Sequence, residues 1–477
     1  TLDPMLIQDP GSVLVVRQLF EGLTRWDERK GRVVPAAAAS WKEQRKGSRF
    51  VFKLRRSMRF HDGSPVTSSD FRYAFDRIAR KKSASEVAYT LELVKGFTAV
   101  NGFGNSKHLA GVTTPDSRTL VIKLSGPFRD FPAVLTHPAL VPVPRRAVEH
   151  EKKWARKPVG NGAFEMTEPW TPGQPITLGS FGDALEDTTL SGVSFQPYSD
   201  AGASWLEFVQ EDLDVAEVPA GEIEAAEQVF GDAGFRPLLA GYYFGFNTKA
   251  KRLKNIRVRR AISRAIDRTA IARGIYDRSL QEPRGVVPAG MPGFSADACG
   301  RLCDYAPKAA RRMIKKLPAA KRKVTLEYTR GSPHGRVARA VRRDLRKTGL
   351  KVKIKAFGFR KYLRRLQDGK QSMFRLGWIA EYPVPDVFLS SLFESGSPDN
   401  HSGIRAGAVD NLLTRAHTQS SEARRLKLYR KAEKKILKRV PVVPIGSFVS
   451  RWVAQPTVRG IHFDVMGGFD VGSVSLE

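Results

Sequence analysis

Apolar and polar residues follow two periods along this chain, one near two residues and one near 3.6, and the switches between them predict a mixed α/β protein. Phe50-Val51-Phe52-Lys53-Leu54 reads as a strand, and so does Leu120 to Leu124, which ends at Gly126-Pro127. Gly241 to Thr248 reads as a buried strand. Helical spacing joins Phe71, Ala74, Phe75 and Ile78 behind Thr67-Ser68-Ser69-Asp70, which has the spacing of a capping box. It also joins Val258, Ala261, Ile262, Ala265 and Ile266 behind a cap at Asn255. Further elements are expected as helix 307–317, strand 323–328, helix 335–348, strand 350–357 and helix 359–367. A long helix from Ser421 to Lys438 carries Leu428, Tyr429, Ala432 and Ile436, and a short apolar strand follows it.

The stretch richest in candidate chemistry runs from Phe374 to Leu389. Phe374 to Ile379 reads as a buried strand around Gly377, after which Pro383 and Pro385 forbid further regular structure. Arg375, Trp378, Glu381, Tyr382 and Asp386 therefore place a guanidinium, an indole, a phenol and two carboxylates where a strand runs into a stiff loop. Such a position suits a ligand anchor on a rigid scaffold. A plain packing role, with Trp378 in a core and Glu381 at a turn, stands beside that reading.

The 477 residues are enough for two or three domains, and 41% hydrophobic with 27% charged residues is a globular composition. No apolar run reaches the length of a membrane span and none reads as a signal peptide, so an export or anchoring segment is expected outside this chain. The net charge of +32 raises the possibility of a nucleic-acid partner, but its distribution points elsewhere. Residues 251–450 hold 47 Lys and Arg against 15 Asp and Glu, whereas residues 158–235 hold 15 acids and no Lys or Arg. This asymmetry implies domains of opposing field, or a basic domain facing an anionic membrane surface. The aromatic interleaving that base stacking needs is missing from the basic stretch, so no nucleic-acid partner is expected.

Cys299 and Cys303 are the two cysteines. Their C-x3-C spacing without a neighbouring histidine is too little for zinc and reads as a local disulfide of an oxidising compartment, with two free thiols as the alternative. Nucleophile elbows, zinc-protease motifs and clustered histidines are absent, as are Walker and dinucleotide glycine patterns. His61, in the turn His61-Asp62-Gly63-Ser64-Pro65, lacks a catalytic partner at useful spacing. The residues thus favour a large binding protein with no catalytic residues, no metal and no cofactor.

Several segments together resemble the family 5 extracellular solute-binding proteins, the receptors of peptide-type ABC transporters. They are Thr1-Leu2-Asp3-Pro4, Leu19-Phe20-Glu21-Gly22-Leu23-Thr24, Val33 to Ala36, Ser40-Trp41, Phe60 to Thr67 with Asp70-Phe71, Phe246-Asn247-Thr248, Arg257 to Ile262, Ala265 to Arg268, Gly377-Trp378 with Glu381-Tyr382-Pro383, and finally Arg425, Tyr429 and Pro441. The resemblance implies an α/β, two-lobed periplasmic-binding-protein-like fold of discontinuous domains joined by a hinge. Domain I would comprise residues 1–44, 157–245 and 455–477, with domain II (45–156) extending the same lobe and domain III (246–454) forming the other. It further implies a peptide or similar small zwitterion enclosed as ligand, ABC permease subunits as partners, and a periplasmic or surface-anchored location. In peptide-binding members the Asp three residues after this Trp holds the ligand ammonium; here Glu381 stands there, one methylene longer. Arg375 has the spacing of an arginine that meets a ligand carboxylate, and Trp378 that of an apolar wall. Tyr382 and Asp386 are further liners. Nickel, haem, sugar and opine receptors of the same family define the alternative ligands.

Overall fold

The computed structural model describes residues 1–7, 9–149, 154–231, 234–319 and 322–477. Two compact units emerge, Thr1–Val218 with Trp452–Glu477, and Pro219–Arg451. The border expected at 245/246 thus falls at 218/219, because the strand Pro237–Phe246 pairs along its length inside the second unit.

In the first unit, strands β1 (Ala38–Gln44), β2 (Arg49–Leu54), β3 (Val112–Asp116) and β4 (Thr119–Lys123) form an antiparallel sheet in the order β1-β2-β4-β3. Period-two burial of Phe50, Phe52 and Leu54 turns one face of β2 inward. Helix α1 (Ser68–Ala79) covers the sheet with Phe71, Ala74, Phe75 and Ile78. Its start is fixed by Asp70, whose carboxylate accepts the Thr67 backbone N–H at 2.8 Å and hydroxyl at 2.7 Å. On the same helix Arg77 donates two hydrogen bonds, at 2.8 and 2.5 Å, to the buried carboxylate of Asp3. This bidentate pair gives the Leu-Asp-Pro start of the chain a structural role.

The histidine turn is structural as well. Gly63 takes φ +81°, and the His61 ring accepts the Gly160 N–H at 3.1 Å while the two backbones also pair. A Cβ at Gly160 would lie 1.9 Å from the Leu19 carbonyl oxygen, so the glycine-rich turn is there for close approach. Burial holds the His61 imidazole neutral, with its pKa lowered to about 4.

The second unit is built on a six-stranded sheet. Its strands are β5 (Pro237–Phe246), β6 (Leu280–Gln281), β7 (Lys323–Thr329), β8 (Lys351–Phe357), β9 (Met373–Ile379) and β10 (Val442–Val449), in the order β6-β10-β5-β9-β7-β8. β7 runs parallel to β8 and β9; the other pairings are antiparallel. Tyr242, Phe244, Val324 and Leu326 bury one face of this sheet in a core shared with α2 (Ile256–Ala265), α3 (Arg268–Tyr276), α4 (Pro307–Lys315) and α5 (His334–Lys347). α6 (Phe359–Gln367) lies against the other face, where the Tyr362 hydroxyl donates to the carbonyls of Glu327 and Arg375. The remaining helices used below are α7 (Asp386–Phe393), α8 (Gly407–Thr418) and α9 (Glu422–Arg439).

Helix α7 departs from the sequence expectation that Pro383 and Pro385 forbid further regular structure. Pro385 sits at the cap of α7, where its missing N–H costs nothing, and Asp386 opens the first turn. Pro385 therefore starts a helix here.

Arg259 and Arg268, from the Arg-Val-Arg-Arg-Ala-Ile and Ala-Ile-Asp-Arg segments, are buried and bound to backbone carbonyls. Cys299 and Cys303 are joined as a disulfide, with Cα atoms 5.6 Å apart. The loop before them is tied to α9 by Glu433, 1% exposed, whose Oε1 accepts the N–H groups of Val286 (2.7 Å) and Val287 (2.9 Å). Burial outweighs these bonds and raises the Glu433 pKa from 4.5 to about 7.

A carboxyl group whose folded pKa exceeds its unfolded value holds its proton more tightly when folded. Its contribution to stability is therefore greatest below pH 4.5 and declines as pH rises through 7. Glu433→Gln retains the bonded oxygen and removes the titration. Relative to the native chain, the variant should gain on the order of 3 kcal/mol between pH 4 and pH 8, read from urea midpoints. A difference independent of pH would show that Glu433 is not held neutral.

Candidate functional site

β9 lies between β5 and β7, with Arg375 opposite Phe244, Gly377 opposite Tyr242 and Trp378 opposite Gly241. Alternation along the strand then sends Arg375 and Trp378 to opposite faces. The sequence reading brought these two together at one ligand; the pleat separates them.

Arg375 projects to the face of Tyr242 and Phe244, with its guanidinium carbon 4.4 Å from the Tyr242 ring centroid. The Tyr276 ring of α3 lies 5.8 Å from that of Tyr242, and the His334 ring, at the first residue of α5, lies 5.9 Å away. Gly377 keeps the place clear, since a Cβ there would sit 3.7 Å from Arg375 Nη2 and 3.1 Å from the Gly241 carbonyl oxygen. Four polar atoms in this cluster are buried without a hydrogen-bond partner: Arg375 Nε, Tyr242 Oη, Tyr276 Oη and His334 Nδ1. The Tyr242 hydroxyl neighbours Arg375 and Tyr276 but meets neither in ordinary hydrogen-bond geometry.

The cluster sets one guanidinium among neutral polar groups. Burial, followed by the charge of Arg375, lowers His334 to a pKa of about 4, so its imidazole is neutral at physiological pH. Burial pushes both phenols up, so they remain protonated donors. Among the described residues no Asp or Glu forms an ion pair with Arg375. Arg375 is half-buried with its Nε shut off from solvent. A cation so placed without a counter-charge is costly, and an incoming carboxylate would relieve that cost by accepting from the guanidinium and phenols.

The other sequence-derived residues occupy different settings. Trp378 is half-buried on the opposite face, with Nε1 buried and unbonded. Glu381 and Tyr382 are half-buried in the bend after β9, where the Ala380 N–H donates to the Leu239 carbonyl at 2.7 Å. Asp386 is 8% exposed, and its Oδ1 accepts from Ser390 Oγ at 2.5 Å and pairs with His417 Nε2 at 2.7 Å. That carboxylate joins α7 to α8, and its engagement accounts for its burial without a ligand. Sequence reasoning missed Tyr242, Tyr276 and His334 as members of the cluster. Tyr242 lay in a recognised strand, but nothing local revealed that β9 pairs with it.

The model of the bacterial extracellular solute-binding proteins, family 5, matches residues 32–400. The chain belongs to that family. Its fold is the two-lobed α/β fold of the periplasmic binding proteins. Family 5 relatives include the oligopeptide-binding protein OppA of Bacillus subtilis, 26% identical over 97% of this chain and 88% of that protein. The probable deoxycholate-binding periplasmic protein YgiS of Escherichia coli is 29% identical over 93% and 85%. The periplasmic murein peptide-binding protein MppA of Escherichia coli is 27% identical over 96% and 88%. A solved structure of MppA in its unliganded open form superposes with a TM-score of 0.85 at 25% identity, covering all of this chain and 95% of that one. Family 5 consists of substrate-binding proteins, and no helix among the described residues is long and apolar enough to cross a membrane.

Proposed function

We propose that this family 5 protein is an extracytoplasmic receptor that binds short peptides and delivers them to the permease of an ABC importer. The observation that carries the reading is the half-buried Arg375, without a counter-charge among the described residues and with its Nε shut off from solvent, among Tyr242, Tyr276 and His334. A peptide's terminal carboxylate, or an acidic side chain near it, is the anion of matching size and chemistry. Glu381, six residues further on in the bend after β9, supplies the opposite charge for an α-ammonium, with the Tyr382 hydroxyl beside it, whereas Trp378 lies on the other face of β9 from Arg375. Peptide-binding relatives and the murein-peptide-binding MppA support this assignment. The disulfide fits an oxidising, extracytoplasmic location.

Titration calorimetry with a tripeptide, its N-acetylated form and its C-terminal amide tests the proposal. Both blocked peptides should bind at least about tenfold more weakly, the loss expected when one charge-assisted bond goes. Glu381→Gln should reduce affinity for the free amine and leave the acetylated peptide unaffected. Equal affinity for all three peptides would overturn the assignment. Selective binding of an amine-free amphipathic carboxylate would retain Arg375 and discard the peptide.

A further inference from the structure

The excess positive charge of this protein belongs to one unit, and one continuous stretch of it runs along an edge of that unit's sheet. Residues 219–451 contain 50 Lys and Arg against 19 Asp and Glu, whereas the first unit contains 30 against 29. A general compositional drift would have charged both units. The opposing fields read from the sequence are also absent, because the acidic segment 158–218 is balanced within its own unit by the basic residues before it.

Residues 323–367 hold 15 Lys and Arg and two acids, Glu327 and Asp344. Both acids are 3% exposed and already paired, with Arg365 at 2.9 Å and Lys347 at 3.4 Å. The solvent-facing part of this stretch is therefore wholly cationic. β8 is the edge strand of the sheet. Val352 turns into the core, so exposed Lys351, Lys353 and Lys355 line the face on which α6 lies. α6 adds exposed Arg360, Lys361 and Arg364. Lysines on an edge strand also prevent sheet-to-sheet pairing, but that role gives no reason for an exposed apolar side chain beside them. Phe359, the first residue of α6, is 67% exposed between Lys355 and Arg360.

We propose that the face formed by β8 and α6 docks on an anionic phospholipid surface, its lysines and arginines meeting headgroup phosphates and Phe359 entering the interfacial layer. Clustered basic residues with an apolar side chain among them are the chemistry of interfacial attachment. A nucleic acid would require several aromatics in register along a groove, and this face offers one. Docking here is independent of the peptide assignment, since none of these residues belongs to the Arg375 cluster.

The test is cosedimentation of the whole chain with vesicles of phosphatidylglycerol and phosphatidylcholine, and with phosphatidylcholine alone. Binding is expected to the anionic vesicles only, and should vanish near 1 M salt, where screening acts over about 3 Å. Each surface charge is worth about fivefold in partitioning. Joint Lys351→Gln, Lys353→Gln, Lys355→Gln and Lys361→Gln substitution should thus lose about 600-fold. The same number of exposed charges removed from α9 (Arg424→Gln, Lys427→Gln, Arg430→Gln, Lys431→Gln) should have a much smaller effect. Phe359→Ser should weaken binding without changing its salt dependence. Thermal melts and peptide affinity should stay unchanged in all variants. Equal losses for the β8–α6 and α9 sets would overturn the proposal, as would binding to neutral vesicles or retention of polyphosphate in place of vesicles.

Discussion

Replacing Arg375 by Gln should lower affinity for a free-acid tripeptide by about 30-fold to several thousandfold and leave its C-terminal amide almost unaffected. The range corresponds to 2–5 kcal/mol, the cost of removing one side of a buried, hydrogen-bonded charge pair. Arg375 is placed for this role by its register opposite Phe244, which holds the guanidinium over the Tyr242 ring. Tyr242, Tyr276 and His334 around it are neutral groups whose buried Oη and Nδ1 atoms have no hydrogen-bond partner. Arg375→Lys should recover only part of the affinity, because a point ammonium cannot reproduce the planar fork. A Tyr242→Phe and Tyr276→Phe pair should cost a smaller factor, of order tenfold, since each removes one neutral donor. Calorimetry reads all of these. Full affinity of Arg375→Gln for the free acid would remove the carboxylate assignment, whatever the fate of Glu381.

The largest stability effect is expected at Arg268. Its guanidinium is 4% exposed and donates to the carbonyls of Pro444 (2.8 Å), Ser263 (3.0 Å), Ile266 (3.3 Å) and Cys303 (3.1 Å), and to Ser263 Oγ (2.9 Å). One side chain thus ties α2, β10 and the disulfide loop together. Burial lowers its pKa to about 10, which still leaves it charged at neutral pH. Arg268→Met keeps most of the volume and strips four carbonyls of their donor. Unmet buried acceptors cost about 1–3 kcal/mol each, and partial hydration offsets some of this, so a loss of about 3–5 kcal/mol is expected in urea unfolding. Arg260→Met, at an exposed position of the same sequence segment, should change stability by less than about 0.5 kcal/mol. Similar values for the two would mean that the buried network is not what holds this part of the unit.

Much of the architecture was legible locally. Period two in β2 and period 3.6 in α1, α2, α5 and α9 located these elements to within a few residues, because each must bury one face whatever it packs against. The capping box at Thr67 and Asp70, the positive φ of Gly63 and the C-x3-C disulfide are likewise contacts between near neighbours, and near neighbours are what a sequence displays. The family was legible too, although two of its matching segments, Phe60 to Thr67 and Thr1 to Pro4, proved to be structural. The His61 turn holds Gly160, as Asp3 holds Arg77.

The sequence determined that Arg375, Trp378, Glu381 and Asp386 lie close together along the chain; only the tertiary structure decided which of them can act together. The pleat of β9 puts Arg375 and Trp378 on opposite faces, and α7 turns Asp386 inward to Ser390 and His417. The partners of Arg375 come from β5, α3 and α5, about 40 to 130 residues away in sequence. Cross-strand register and helix docking are fixed by the burial of whole faces, a property of the assembled core that no single segment carries.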